Sequence, residues 1–162
     1  MRKINKVFIH CSASDHAHHD NVDTIRAWHV LERGFNDIGY HYIITKDGTV
    51  HNGRPVWKPP AAQKGHNEGS IAICLTGNDI FSQKQFNALR GLCGRLNREY
   101  NVTFHGHREV NKHKTCPNFE YKSLLNLDLD GRMPRLDLKN IKTKSSFFDR
   151  FIDWIEKIAR KL

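Results

Sequence analysis

Short apolar runs of strand length, separated by turn signals and one long helical segment, limit what this chain can fold into more than any other feature. Ile4 to His10 contains Val7-Phe8-Ile9 and ends in polar residues, as a buried strand does. Tyr40 to Thr45 is a second run, and Lys46-Asp47-Gly48-Thr49 is a hairpin turn into Val50-His51-Asn52. Ser70 to Thr76 reads as a central strand and Val102 to His105 as a short final one. Asp23 can cap a helix to about Arg33, with Ile25, Trp28 and Leu31 at helical spacing and Gly34 ending it. Ser82-Gln83-Lys84-Gln85 is a capping-box pattern for a helix to about Tyr100, with Phe86, Leu89, Leu92, Cys93 and Leu96 as its core stripe. Residues 54–69, rich in Pro, Gly and Asn, form an irregular loop. This order predicts an α/β fold: a mixed central β-sheet flanked by helices.

The pattern changes near residue 127. Residues 1–127 form the expected main domain. Residues 128–146 are polar and basic without a sustained period, and read as a linker or a surface-hugging segment. In 147–162, Phe147, Phe148, Phe151, Ile152, Trp154, Ile155, Ile158 and Leu162 line one face of an extra C-terminal amphipathic helix. Two readings of that helix stand: its aromatic face docks on the domain, or it lies on an anionic membrane surface.

A chain of 162 residues can bury one proper core. No apolar stretch approaches the roughly 20 residues of a membrane span. The basic start, Met1 to Lys6, lacks the apolar region and cleavage site of a secretory signal, so synthesis in the cytoplasm is expected. The cysteines at 11, 74, 93 and 116 form no closely spaced pair, which argues against a disulfide framework. Cys74 and Cys93 sit in apolar patterns as small buried hydrophobes, whereas Cys116 lies in a basic, Pro-bounded loop that favours a thiolate. A net charge of +9 favours an anionic partner: nucleic acid, cell-wall polymer or lipid surface.

His10 closes the first strand, and far downstream come His105-Gly106-His107-Arg108-Glu109 and Lys114-Thr115-Cys116-Pro117. Imidazoles and a thiolate from distant segments, with no fourth protein ligand, suit an open catalytic zinc site rather than a closed structural one. His105 and His107 fall on the same side of a strand, so spacing leaves the choice between them open. His16-Ala17-His18-His19-Asp20 is histidine-rich but lacks regular ligand spacing, and is set aside.

Phe8-Ile9-His10-Cys11-Ser12-Ala13, Gly39-Tyr40-His41-Tyr42-Ile43-Ile44, Asp47-Gly48-Thr49-Val50, Lys64-Gly65-His66-Asn67, Ser70 to Gly77, and Gly106-His107-Arg108-Glu109 followed by Cys116-Pro117 occur in this order. Together they resemble the zinc-dependent N-acetylmuramoyl-L-alanine amidases of the type 2 amidase and peptidoglycan recognition protein superfamily. The likeness is greatest to the compact lysozyme-type amidases of phages, and spans roughly residues 4–126.

The resemblance implies one catalytic zinc held by His10, His107 and Cys116, which favours His107 over His105. It places the active-site tyrosine at Tyr40 and the assisting lysine of the phage members at Lys114. Zinc would polarise the scissile carbonyl and acidify water, Lys114 would add positive charge at the oxyanion, and Tyr40 would orient water or donate to the oxyanion. The interval from His107 to Cys116 is one residue longer than in close members, so Lys112, His113, Lys114 and Thr115 compete for the assisting place. Many relatives carry a histidine where this chain has Ala62. Arg54, Asn67 and His66 are the expected substrate contacts, Arg54 through a stem-peptide carboxylate. The implied activity is hydrolysis of the amide between N-acetylmuramic acid and L-alanine in bacterial peptidoglycan, by a monomeric endolysin reaching the wall after release from the cytoplasm. The rivals are a peptidoglycan-binding module without catalysis and a regulatory module binding nucleic acid or protein; the amidase itself requires no nucleic acid.

Overall fold

The computed structural model describes residues 2–134. Its strands are β1 (Lys6–Cys11), β2 (Tyr42–Ile44), β3 (Val50–Asn52), β4 (Ser70–Leu75) and β5 (Thr103–Gly106); its helices are α1 (Val22–Ala27), α2 (Gln83–Tyr100) and α3 (Tyr121–Leu125). They build one sheet in the order β3-β2-β4-β1-β5. β1 runs parallel to both β4 and β5, β2 is parallel to β4, and only the β2–β3 hairpin is antiparallel. This is the expected mixed sheet with flanking helices.

β4 is buried at every position, and β1 at all but Lys6, because both faces of the central strands are covered. Alternation along them then sorts side chains by face. Val7, Ile9, Ile71, Ile73, Leu75 and Phe104 join Leu89, Leu92, Cys93 and Leu96 of α2 and Tyr121 and Leu125 of α3 in one core. Ile43 joins Ile25 and Ile38 beneath α1 in a second, smaller cluster that Trp28 and Tyr40 flank. His10, between Ile9 and Cys11, is therefore turned away from the α2 core.

The capping box of α2 is present as the sequence predicts: Gln85 N–H donates to Ser82 Oγ at 3.0 Å, and Ser82 N–H donates to Gln85 Oε1 at 3.0 Å. The Gln85 amide also donates to the carbonyls of Ile44 (3.0 Å) and Thr76 (2.8 Å), tying the helix start to the ends of β2 and β4. Gly39 allows another close approach, since a Cβ there would sit 2.5 Å from the Ala61 carbonyl oxygen. The loop of residues 54–69 thus lies directly on the chain entering β2.

Three elements differ from expectation. The first helix is capped by Asn21, whose side chain accepts from Thr24 N–H at 2.7 Å, not by Asp23. It then widens into a π-helical turn over Trp28–Glu32, closed by Arg33 N–H on the Trp28 carbonyl at 3.1 Å. The wider turn breaks the 3.6-residue phase, so Leu31 is 81% exposed while His29 is buried. Second, the run Tyr40 to Thr45 pairs as a strand only at Tyr42–Ile44. Third, α3 had no sequence signal.

Residues 128–133 hug the surface and do not leave it as a linker. Gly131 accepts from Phe104 N–H at 2.7 Å on the outer edge of β5, and Met133 packs on the main core. The expected basic segment beyond 134 and the amphipathic helix at 147–162 lie outside the described residues. Among the described residues no helix is long and apolar enough to cross a membrane.

Candidate metal centre and active-site cleft

β1 and β5 are parallel neighbours, so the residues at their carboxyl ends emerge side by side. His10 is the penultimate residue of β1, and His107 follows Gly106 at the end of β5 in a short 3₁₀ turn, His107–Glu109. Cys116 returns to this point on a loop whose Cys116 carbonyl accepts from Arg108 N–H at 2.9 Å, and whose Cys116–Pro117 peptide is cis. One ligand atom from each of His10, His107 and Cys116 lies within 4.8 Å of the others.

The donor set fits a zinc ion. Tetrahedral bonds of about 2.1 Å to nitrogen and 2.3 Å to sulfur would hold the two donors roughly 3.6 Å apart. His10 Nδ1 and Cys116 Sγ are 3.8 Å apart. Burial, then His107, holds the His10 imidazole down at about 3, so it is neutral and free to ligate at ordinary pH. His107 is lowered as well, by burial and then by the Lys114 ammonium. Cys116 is pushed up by the Cys11 thiol beside it and by burial, so its thiolate needs a cation to be favoured. A second feature prepares that thiolate: the Cys11 backbone N–H points at Cys116 Sγ from 3.2 Å.

His105 does not join the set. Its Nδ1 faces Glu109 Oε2 at 3.0 Å, its Nε2 meets Thr103 Oγ1 at 2.7 Å, and its ring packs on Phe8. The histidines at 16, 18 and 19 cluster with one another and with Trp28, away from this group.

A cleft of about 500 Å³ is lined by His107 and Cys116, with His10 buried behind them. Its walls include Tyr40, His113, Lys114, Thr115 and, from the π-helical turn and its exit, His29, Arg33 and Phe35. The Tyr40 ring lies tilted against the His10 ring with centroids 5.2 Å apart, and burial holds its phenol protonated, well above the usual tyrosine range. Its hydroxyl faces the buried Cys74, and the residue lines the cleft. Lys112 is not part of the lining; His113, Lys114 and Thr115 are. A larger groove of about 1000 Å³ runs between α2 and α3, lined by Arg90, Arg98, Leu124 and Met133 among others. It holds none of the ligand residues, so size alone does not find the chemistry.

The expected substrate contacts have other partners. Arg54 donates to the carbonyls of Ile38 (2.9 Å), Asp37 (3.3 Å) and Pro59 (3.4 Å), and so staples the loop to the chain entering β2. Asn67 Oδ1 accepts from Ala62 and Gln63 N–H, closing the turn of that loop. His66 packs its ring toward Phe8. None of the three lines the cleft. Ala62 does line it.

Sequence reasoning missed Gln63, His29 and Arg33. Gln63 is fully buried with its Oε1 3.1 Å from His10 Nε2. His29 accepts Gly39 N–H on Nδ1 at 2.8 Å and packs its ring, tilted, against Tyr40. The one available signal for His29 was its place four residues after Ile25, beside Trp28 on the apolar face of the helix; for Gln63 there was none.

Fold and site together define a hydrolase of one family: the model for N-acetylmuramoyl-L-alanine amidase (Amidase_2) matches residues 1–119, and the chain belongs to that family. Its relatives narrow this to the phage lytic enzymes. The endolysin of Escherichia phage T7 is 38% identical over 125 residues, covering 72% of this chain and 82% of that one. Among solved structures, the N-acetylmuramoyl-L-alanine amidase LysC from Clostridium intestinale superposes with a TM-score of 0.68 at 27% identity, covering 77% of this chain and 85% of that one. The Ph2119 endolysin from a Thermus scotoductus bacteriophage shares the fold, with a TM-score of 0.69 at 24% identity and coverage of 78% and 85%. The chain is thus a type 2 amidase related to phage endolysins.

Proposed function

We infer that this chain is a zinc amidase that cleaves the bond between the lactyl group of N-acetylmuramic acid and the L-alanine of the stem peptide, as a lytic enzyme acting at the bacterial cell wall after release from the cytoplasm. The observation that carries this is the convergence of His10, His107 and Cys116 within 4.8 Å, with His107 and Cys116 lining a cleft that also holds Tyr40 and Lys114 and His10 buried behind them. Those three side chains would hold the ion. When bound, zinc supplies Lewis acidity, polarising the carbonyl and acidifying water to a pKa of roughly 7.

The chain's own residues do the rest. The protonated Tyr40 phenol donates a hydrogen bond to oxygen at the reacting carbon. The Lys114 ammonium, close enough to depress His107, supplies fixed positive charge to the same region. Both groups are in place before substrate arrives, which keeps reorganisation small. Arg33, at the rim, extends that positive field toward the carboxylates of a stem peptide.

Metal analysis of the purified protein, combined with mass spectrometry of digested peptidoglycan, tests the reading. The expected result is one zinc per chain and free stem peptides beginning at L-alanine, both lost in Cys116→Ser. Metal-free protein that binds walls without cutting would assign it to the binding modules of the superfamily. Salt-sensitive nucleic-acid binding that survives Cys116→Ser, without hydrolysis, would instead support the regulatory rival.

A further inference from the structure

His10 offers a metal only one of its nitrogens, and which one is a matter of where its proton sits. The ring has Cys116 Sγ at 3.8 Å from Nδ1 and the Gln63 side chain at 3.1 Å from Nε2. A glutamine amide can present either oxygen or NH₂ to a histidine, and would select opposite tautomers in the two cases. The surroundings of Gln63 decide between them.

The Gln63 Nε2 has two further neighbours, the Ser70 hydroxyl at 2.7 Å and the His66 carbonyl at 3.4 Å. The carbonyl only accepts. The Ser70 hydroxyl gives its proton to the Asn67 carbonyl at 2.8 Å, so toward Gln63 it also accepts. Both therefore require the NH₂ group, and Oε1 is left facing His10. An oxygen there accepts, so His10 must carry its proton on Nε2. The lone pair then sits on Nδ1, toward Cys116. The turn that carries Gln63 is itself held by Asn67 Oδ1 on Gln63 N–H at 3.0 Å, and Gln63 is fully buried, so the amide cannot turn out to water.

We propose that Gln63 is a positioning residue of the active site: it fixes the tautomer and ring orientation of the ligand His10 through a chain running from Asn67 and Ser70. The proposal rests on the metal reading of the site only for its consequence, not for the tautomer. Partners that hold the far nitrogen of a ligating histidine contribute through ligand basicity and orientation, and their loss typically weakens metal binding 10–100-fold.

Two measurements test it. In zinc-free wild-type protein, long-range ¹⁵N–¹H correlations of the His10 ring are expected to show the Nε2–H form; an Nδ1–H form overturns the assignment. Zinc affinity by chelator competition is expected to fall roughly 10–100-fold in Gln63→Leu and by less than about threefold in Gln63→Glu, which keeps an acceptor on His10. Equal losses in both variants assign Gln63 to holding the loop and overturn the proposal, since Gln63→Glu removes the donor to Ser70 and His66 while sparing the acceptor. A wild type that takes up no zinc would sink the metal reading and leave the tautomer to the NMR result.

Discussion

Gly106→Ala tests whether the second ligand cluster is held by packing. Gly106 has φ −90° and ψ 153°, a conformation open to any residue, so it is space and not backbone geometry that demands glycine. An added Cβ would lie 2.9 Å from Tyr121 Cε1 and 3.0 Å from Pro117 Cδ. Tyr121 is fully buried and Pro117 is a ring bonded to Cys116, so neither swings aside. Restoring ordinary contact of about 3.4 Å asks one or both to move by about 0.5 Å. Overpacking of this kind costs about 1–3 kcal/mol, of which the stiffer unfolded chain returns about 0.4–1. The net expectation is a loss of roughly 1–2 kcal/mol in urea unfolding. Movement of Pro117 also carries the Cys116 sulfur, and metal sites tolerate only about ±0.2 Å, so zinc affinity should drop roughly tenfold. Gly91→Ala on the exposed side of α2, where nothing lies within 4 Å, is the control and should stabilise by about 0.5–1 kcal/mol. Wild-type stability and zinc affinity in Gly106→Ala would refute the claim that Tyr121 and Pro117 wedge the ligand loop in place.

Three further outcomes follow from the same geometry. Tyr40→Phe removes a donor and little volume, so kcat should fall roughly 10²–10³-fold with zinc content unchanged; loss of zinc instead would show the ring to be mainly structural. Lys114→Gln should lower kcat on sacculi while Lys112→Gln, outside the cleft, leaves it near wild type, and the reverse order would move the assisting role to Lys112. Burial holds His29 and His41 down at about 4 in the fold, each accepting a backbone N–H on Nδ1. Because their unfolded value is near 6.5, the unfolded chain takes up protons first as pH falls. Their contribution is complete above pH 6.5 and is lost progressively down to about pH 4. Between pH 7 and 5 the zinc-free protein should lose on the order of 3 kcal/mol from the pair; a flat profile in denaturant titrations would contradict their neutral burial.

The sheet and its long helix were readable because they rest on local rules: alternating or continuous apolar strands, a reciprocal cap at Ser82 and Gln85, a turn at Asp47-Gly48. The ligand triad was readable only with the ordered motifs of the family, since spacing could not separate His105 from His107. The structure separates them physically, by giving His105 its own partners in Thr103 and Glu109 and leaving His107 beside His10. What stayed hidden depends on contacts between distant segments. The π-helical turn moves His29 inward against the helical period, and Arg54 spends its charge on carbonyls that only the folded loop brings near. Gln63 meets His10 across 53 positions of chain, a distance no local pattern encodes.

The cysteine and the first histidine of the candidate metal centre stand 106 positions apart, the histidine on the opening strand and the cysteine on the loop that follows the last. A growing chain, or one cut between them, cannot bring all three candidate ligands together. An ion held by His10, His107 and Cys116 would lock the site only after β1 and β5 have come together, as a seal on a finished domain and not as a nucleus for it. In an amidase of this family, hydrolytic capacity would thereby be withheld until folding is done.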